Sequence, residues 1–183
     1  MARVLIPLAQ GCEELEAVTL IDLLRRANIE VVTAGLRTGP VTASRGTVII
    51  PDVNLDAVLD QTFDMLVLPG GVQGADNLDQ DQRIHTLLKR MSNSGKYTAA
   101  ICAAPKILAR AGLLDGRTAT CYPGVLNKFS KIDVVPAPVV TDGKIITSRG
   151  PGTAIDFALT LIEALSDRAT RDIVEEQLQR EID

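Results

Sequence analysis

The sequence predicts an α/β fold: a mostly parallel sheet sandwiched by helices on both faces. Two observations carry this. Short β-rich runs bounded by turns alternate with amphipathic helical patterns along the chain, and that alternation builds parallel sheets covered on both sides. The whole is 183 residues with no repeat, low-complexity stretch or linker, so residues 1–183 read as a single domain with enough chain for its own core.

The elements follow in order. Arg3 to Leu8 is an apolar run, and Glu14 to Arg26 places Ala17, Leu20, Ile21 and Leu24 on one helical face. Val18 and Leu23 fall outside that stripe and mark a possible second buried face. Ile29 to Ala34 is a strand, and Pro40 to Ile50 a hairpin-like excursion around Arg45-Gly46. Phe63 to Leu68 is a core strand ending at Pro69-Gly70-Gly71. A helix over Asp81 to Ser94 is amphipathic through Ile84, Leu87, Leu88 and Met91, with His85 on its solvated side. Tyr97 to Ile101 is a strand, followed by a helix from Ala104 to Ala111. Val134 to Val140 and Lys144 to Thr147 are β-like runs around the Asp142-Gly143 turn. Helices from Thr153 to Leu165 and from Arg168 to Arg180 close the chain.

Composition narrows the function classes. With 46% hydrophobic and 23% charged residues the chain is ordinary globular protein, and with 3% aromatics and no Trp its core must be aliphatic. A formal charge of −4 gives no electrostatic footprint for nucleic acid or an anionic membrane. No apolar run reaches the ~20 residues of a bilayer span, and the apolar strand begins too early to leave room for a secretory signal. Three widely spaced cysteines, Cys12, Cys102 and Cys121, fit neither a disulfide framework nor a zinc site, and point to the reducing cytoplasm.

In open parallel sheets, ligands bind beyond the carboxyl ends of the strands. Three segments fall there: Gln10 to Glu16, Pro69-Gly70-Gly71, and Cys102-Ala-Ala-Pro105. Cys102 sits among small residues between a strand and a helix, following the logic of a nucleophile elbow, though the G-x-S-x-G pattern is absent. The start of a helix should lower its pKa. Glu16 borders the buried face of the first helix, where desolvation would raise its pKa and let it donate a proton. Glu13 and Glu14 read as ordinary helix-start carboxylates, and Cys12 and Cys121 as packing residues.

Together, Gly11-Cys-Glu-Glu-Leu-Glu16, Val67-Leu-Pro-Gly-Gly71, Ala99-Ala-Ile-Cys-Ala-Ala-Pro105 and Thr147-Ser-Arg-Gly-Pro-Gly-Thr153 resemble the ThiJ/PfpI superfamily, in its branch of the Parkinson disease protein deglycase and bacterial relatives. The resemblance implies a flavodoxin-like, doubly wound sandwich of the class I glutamine amidotransferase-like kind. It implies a homodimer and a nucleophile, Cys102, paired with a protonated Glu16. Gly70, Gly71 and Ala103 would form the oxyanion site, and Arg45 and Pro151 would approach the pocket. Tyr122 stands where many members carry His, and Ala103 where the protease branch carries His, which argues against peptidase activity. The implied activity is that of a glyoxalase or deglycase acting on methylglyoxal, glyoxal or their early adducts, with neither metal nor organic cofactor. The alternative is a redox sensor or stress chaperone using oxidation of Cys102 to sulfinic acid.

Overall fold

The computed structural model describes residues 1–180. Its central sheet has seven strands in the order β10-β11-β7-β6-β1-β2-β5. These are β1 (Arg3–Leu8), β2 (Glu30–Gly35), β5 (Val53–Asn54), β6 (Met65–Leu68), β7 (Tyr97–Ile101), β10 (Val139–Asp142) and β11 (Ile145–Ser148). All neighbours pair in parallel except β10 and β11, which run antiparallel. The mostly parallel α/β architecture is therefore as the alternation of runs predicts. The central strands β1 and β6 are buried almost throughout, as strands covered on both faces must be.

Among the described residues, five helices contact the sheet, α1 (Glu14–Arg26), α2 (Val72–Gln80), α3 (Gln82–Asn93), α4 (Pro105–Arg110) and α5 (Ala154–Leu165), and α6 (Arg168–Gln177) packs on α5. In α3 the predicted stripe of Ile84, Leu87, Leu88 and Met91 is buried. In α1, Leu23 belongs to the core while Ile21 is only half-buried, so the stripe is wider than its four expected positions. Val18 is exposed, together with Leu15. The last helix ends at Gln177 rather than Arg180. The expected reach of the domain over 181–183 lies outside the described residues.

Two departures have local causes. Val134 to Val140 is not one strand. Pro136 and Pro138 cannot donate to a ladder, and the run splits between β9 (Asp133–Val134), paired with β8 (Thr118–Ala119), and β10 in the main sheet. Helix α2 carries little periodic signal, because only Ala75 and Leu78 are buried apolar residues in it. Its Gly74 is a packing requirement: a Cβ there would lie 2.5 Å from the Cys12 Cα. The excursion after β2 does form a hairpin, β3 (Val41–Thr42) against β4 (Val48–Ile49). Among the described residues, no helix is long and apolar enough to cross a membrane.

Candidate active site

The chain leaves β1 in one direction to β2 and then returns to place β6 on the other side of β1. In open parallel sheets such a reversal marks the carboxyl ends of the strands as the place where ligands bind. Glu16 stands there in the first turn of α1, Gly70 follows β6, and Cys102 follows β7.

Cys102 has φ of 64°, left-handed backbone that non-glycine residues rarely adopt. Such a conformation costs roughly 1–3 kcal/mol and persists only where neighbours enforce it. Here they do: the Cys102 N–H donates to the Ser148 carbonyl at 3.0 Å, and its own carbonyl accepts the Tyr122 N–H at 2.9 Å. The small residues Ala103 and Ala104, both buried, let the chain turn straight into α4. Cys102 as a whole is buried, 9% exposed.

Glu16 is fully buried. Its Oε2 accepts the Gly70 N–H at 2.8 Å, and its Oε1 has no hydrogen-bond partner among the described residues. A buried carboxylate with an orphaned oxygen is costly, so burial pushes the Glu16 carboxyl up to about 7 against the lowering effects of the Gly70 N–H and Cys102. The expectation of a thiol lowered by a helix start is corrected. Helix α4 has six residues and begins three positions later. Burial first, and then the charge of Glu16, push the Cys102 thiol up to about 12, against the N–H groups of Gly71 and Ala103 that favour thiolate. The influence of Glu16 reverses once Glu16 holds the proton, because the neutral acid repels nothing and can donate to sulfur. Thiol and carboxyl thus titrate as a pair sharing one proton.

Glycine is required on both sides of this pair for different reasons. At Gly70 a Cβ would fall 2.6 Å from Glu16 Oε2 and 2.7 Å from the Cys102 Cβ. Gly71 has φ of 84°, and a Cβ there would meet the Gly11 carbonyl oxygen at 2.4 Å. That close approach aims the Gly71 N–H at the same sulfur as the Ala103 N–H.

The remaining predicted residues are placed less uniformly. Tyr122 is 53% exposed on the rim, bonded to the elbow through its backbone and packed beside Gly150. Pro151 opens a 3-10 turn just beyond the end of β11, the strand that receives the Cys102 N–H. Arg45 is exposed at the hairpin tip, with its N–H on the Glu14 carboxylate and its guanidinium on the Ser44 carbonyl. Within one chain it meets the outer carboxylate of α1 and not the Cys102–Glu16 pair. Against desolvation, which raises the Glu14 carboxyl, its own backbone N–H, the Ser44 hydroxyl and the N–H groups of Thr47 and Arg45 hold it down at about 2. Cys12 and Cys121 are buried, and burial raises both thiols. His85 departs from its expected solvated position, being half-buried against Asp79.

A cleft of about 530 Å³ opens elsewhere, outside the ends of β1 and β2, between Gln10, Arg37, Asn77 and Arg83. Most of its polar groups are engaged with protein: Arg83 holds Asp81 and the Leu36 carbonyl, and Gln10 holds Thr42 and Pro40. Size alone does not draw the chemistry there, because the perturbed pair and the strained turn lie beyond the ends of β6 and β7.

A strained cysteine turn beside a buried carboxyl, at the switch point of an open parallel sheet, defines a cysteine-centred α/β domain of the nucleophile-elbow kind. The chain belongs to the DJ-1/PfpI family, whose description matches residues 2–164. It is 43% identical over 169 residues to Protein dj-1beta of Drosophila melanogaster, covering 90% of this chain and 89% of that protein. The crystal structure of Drosophila DJ-1beta superposes with a TM-score of 0.95, covering 99% of each chain at 38% identity. Protein DJ-1 homolog B of Arabidopsis thaliana is 40% identical over 168 residues, which are 91% of this chain but only 38% of that longer protein. A Caenorhabditis elegans relative, 38% identical over 166 residues with 90% and 88% coverage, is named glutathione-independent glyoxalase DJR-1.2.

Proposed function

We propose that the protein is a cofactor-independent glyoxalase or deglycase acting on small reactive dicarbonyls such as methylglyoxal, or on their early adducts. The observation that carries this is the pair itself: a strained, barely accessible Cys102 facing a buried Glu16 that holds its proton to about pH 7. The name of the C. elegans relative supports the substrate class.

In this reading the Cys102 sulfur adds to the aldehyde carbon, and the developing oxyanion is held by the Gly71 and Ala103 N–H groups. Glu16 gives its proton to that oxygen and, now the carboxylate, takes the proton from the same carbon and returns it to the adjacent carbonyl carbon. The hydroxyl proton passes to the neighbouring oxygen, leaving a thioester of the 2-hydroxy acid. Water then cleaves the thioester, releasing the acid and restoring the thiol. The net change is dicarbonyl plus water to 2-hydroxy acid, with no electrons gained or lost. The phenol of Tyr122, exposed at the rim, can donate a hydrogen bond to a substrate oxygen. The test is conversion of methylglyoxal to lactate by wild type and Cys102→Ser. Wild-type turnover that Cys102→Ser loses by at least ~10³-fold supports the reading. No wild-type turnover, with Cys102 oxidising readily in peroxide, would replace it by the redox reading.

The proposal includes a homodimer. Leu15 and Val18 on α1 and Val48 and Ile50 beside the hairpin are 50%, 48%, 59% and 81% exposed, an apolar surface next to Arg45. Sedimentation at micromolar concentration is expected to show twice the 19.6 kDa chain mass. A clean monomer would remove Arg45 as a residue reaching a partner's pocket.

A further inference from the structure

Helices α2 and α4 leave the site together, each starting at one of the two donors to the Cys102 sulfur. Gly71 caps α2, and Ala103 lies two positions before α4. Two charged rungs join the helices. Lys106 Nζ lies 2.5 Å from Asp76 Oδ1, and Arg110 pairs with Asp79 Oδ2. Asp76 and Asp79 come five and eight positions after Gly71, and Lys106 and Arg110 three and seven after Ala103.

The inner rung is unusual. The Asp79 side chain is 2% exposed, where an ionised carboxylate costs several kcal/mol before pairing. Apolar residues of similar volume would often hold two helices as well or better. Only one side of this carboxylate is spent on Arg110. On the other, His85 Nε2 from α3 lies 3.3 Å from Asp79 Oδ1 and 2.8 Å from the Asp79 carbonyl oxygen. Nε2 therefore carries a hydrogen and donates it to the last turn of α2. Asp79 is tied to α3 through its backbone carbonyl, its Oδ1 having no hydrogen-bond partner among the described residues, while its Oδ2 pairs with Arg110 on α4.

We infer that the Asp79–Arg110 and Asp76–Lys106 rungs form a positioning strap that fixes the spacing of the Gly71 and Ala103 N–H donors around the Cys102 sulfur. The donors lie on separate segments, after β6 and after β7. Gly71 is the N-cap of α2 and Ala103 precedes α4, so neither N–H is held by a helix of its own. Backbone pairing of β6 with β7 sets strand register but ends at Leu68 and Ala100, short of both donors. Beyond that point each segment is held to different neighbours, Cys102 by Ser148 and Tyr122 and Gly70 by the Glu13 N–H. The rungs are the charged ties that join α2 directly to α4. The inference rests on the proposed chemistry only in treating Cys102 as the reactive thiol.

The test is the rate of Cys102 alkylation by iodoacetamide across pH, with peptide mapping to separate Cys12 and Cys121, and thermal melting alongside. The variants are Asp79→Asn, Arg110→Gln, their double, Arg110→Lys, and Asp76→Asn with Lys106→Met. The groups facing the thiol (Glu16 and, behind it, Glu13, with the Gly71 and Ala103 N–H groups) are unaltered in all of them. Strap loss is expected to move the alkylation profile to higher pH and slow it at pH 7 roughly tenfold, a fraction of the ~10²–10³ that removing a whole oxyanion donor costs. The Asp79/Arg110 double should be no slower than the slower single, since each breaks the same rung. Arg110→Lys should recover most of what Arg110→Gln loses. Should Asp79→Asn fail to fold, the outer rung decides, because Asp76 is half exposed and its loss leaves the core intact. Unchanged profiles in folded variants that merely melt lower would overturn the strap. Alkylation needs no substrate, so a wild type without methylglyoxal turnover would sink the enzymatic reading and leave this test standing.

Discussion

Glu16→Gln is expected to abolish turnover and, above neutral pH, to make the protein more stable than wild type. The two effects have one cause. A glutamine keeps the oxygen that accepts the Gly70 N–H at 2.8 Å and the donor aimed toward sulfur, but it cannot exchange a proton. A positioned acid or base contributes ~10²–10⁴-fold, and Glu16 carries every proton transfer in the proposed cycle. The stability effect follows from burial. In the unfolded chain the carboxyl ionises near 4.5; in the fold it does so at about 7. Below 4.5 it is neutral in both states. Between those values the unfolded state ionises and the folded state does not, so wild type loses stability as pH rises, by ~1.4 kcal/mol per pH unit. Above 7 the loss is complete, ~3 kcal/mol in all. The amide does not titrate, so the gap between variant and wild type should open across this window and then hold. Urea melts of both proteins at pH 4, 6 and 8 measure it. Equal stability at pH 8 would mean that Glu16 is ionised cheaply, and the shared-proton account of Cys102 would fall with it.

How far the sequence alone leads depends on the scale of the signal. Periodic burial was legible: the stripe of α3 and the bounds of α1 follow from their apolar spacing. Where short-range chemistry competes with periodicity, legibility fails. The prolines at 136 and 138 break an apolar run that reads as one strand. Helix α2 hides because its register is fixed by backbone contact at Gly74 and by charged rungs, neither of which leaves an apolar pattern. At the site, the strand-end motifs point to Cys102, Glu16 and Gly71, and the structure brings them together. The thiol's energetics were not legible, since they depend on burial and on the ionisation of Glu16, which only three-dimensional neighbours decide. Nothing in the spacing of Asp79 and Arg110 announces that the Asp79 side chain is buried.

Gly70→Ala is expected to cost at least ~10²-fold in turnover through a single methyl group. Gly70 is not needed for an unusual backbone conformation; it is needed for space. The added Cβ would lie 2.6 Å from Glu16 Oε2, 2.7 Å from the Cys102 Cβ and 2.9 Å from the Ile101 carbonyl oxygen. Contacts that short do not occur, so something must move, and the candidates are the acid, the nucleophile or the strand end that carries it. The Ile101 carbonyl is the least free, because it accepts the Ala104 N–H at 3.0 Å and its strand is paired on both sides. The elbow is likewise held by Ser148 and Tyr122. The side chain of Glu16 is therefore the part that yields, losing its bond from the Gly70 N–H. Overpacking of this kind costs typically ~1–3 kcal/mol. A displacement of about 1 Å in a reacting group can cost on the order of a hundredfold in rate. Turnover should therefore fall much further than stability. The contrasting variant is Gly71→Ala, whose Cβ would strike backbone, the Gly11 carbonyl, at a φ of 84°. No side chain can step aside there, so that variant should lose the fold along with activity. Melting temperature and methylglyoxal turnover measured on both separate the cases. A Gly70→Ala protein with wild-type turnover would show that carboxyl and thiol need not touch, and the pair would no longer explain the chemistry.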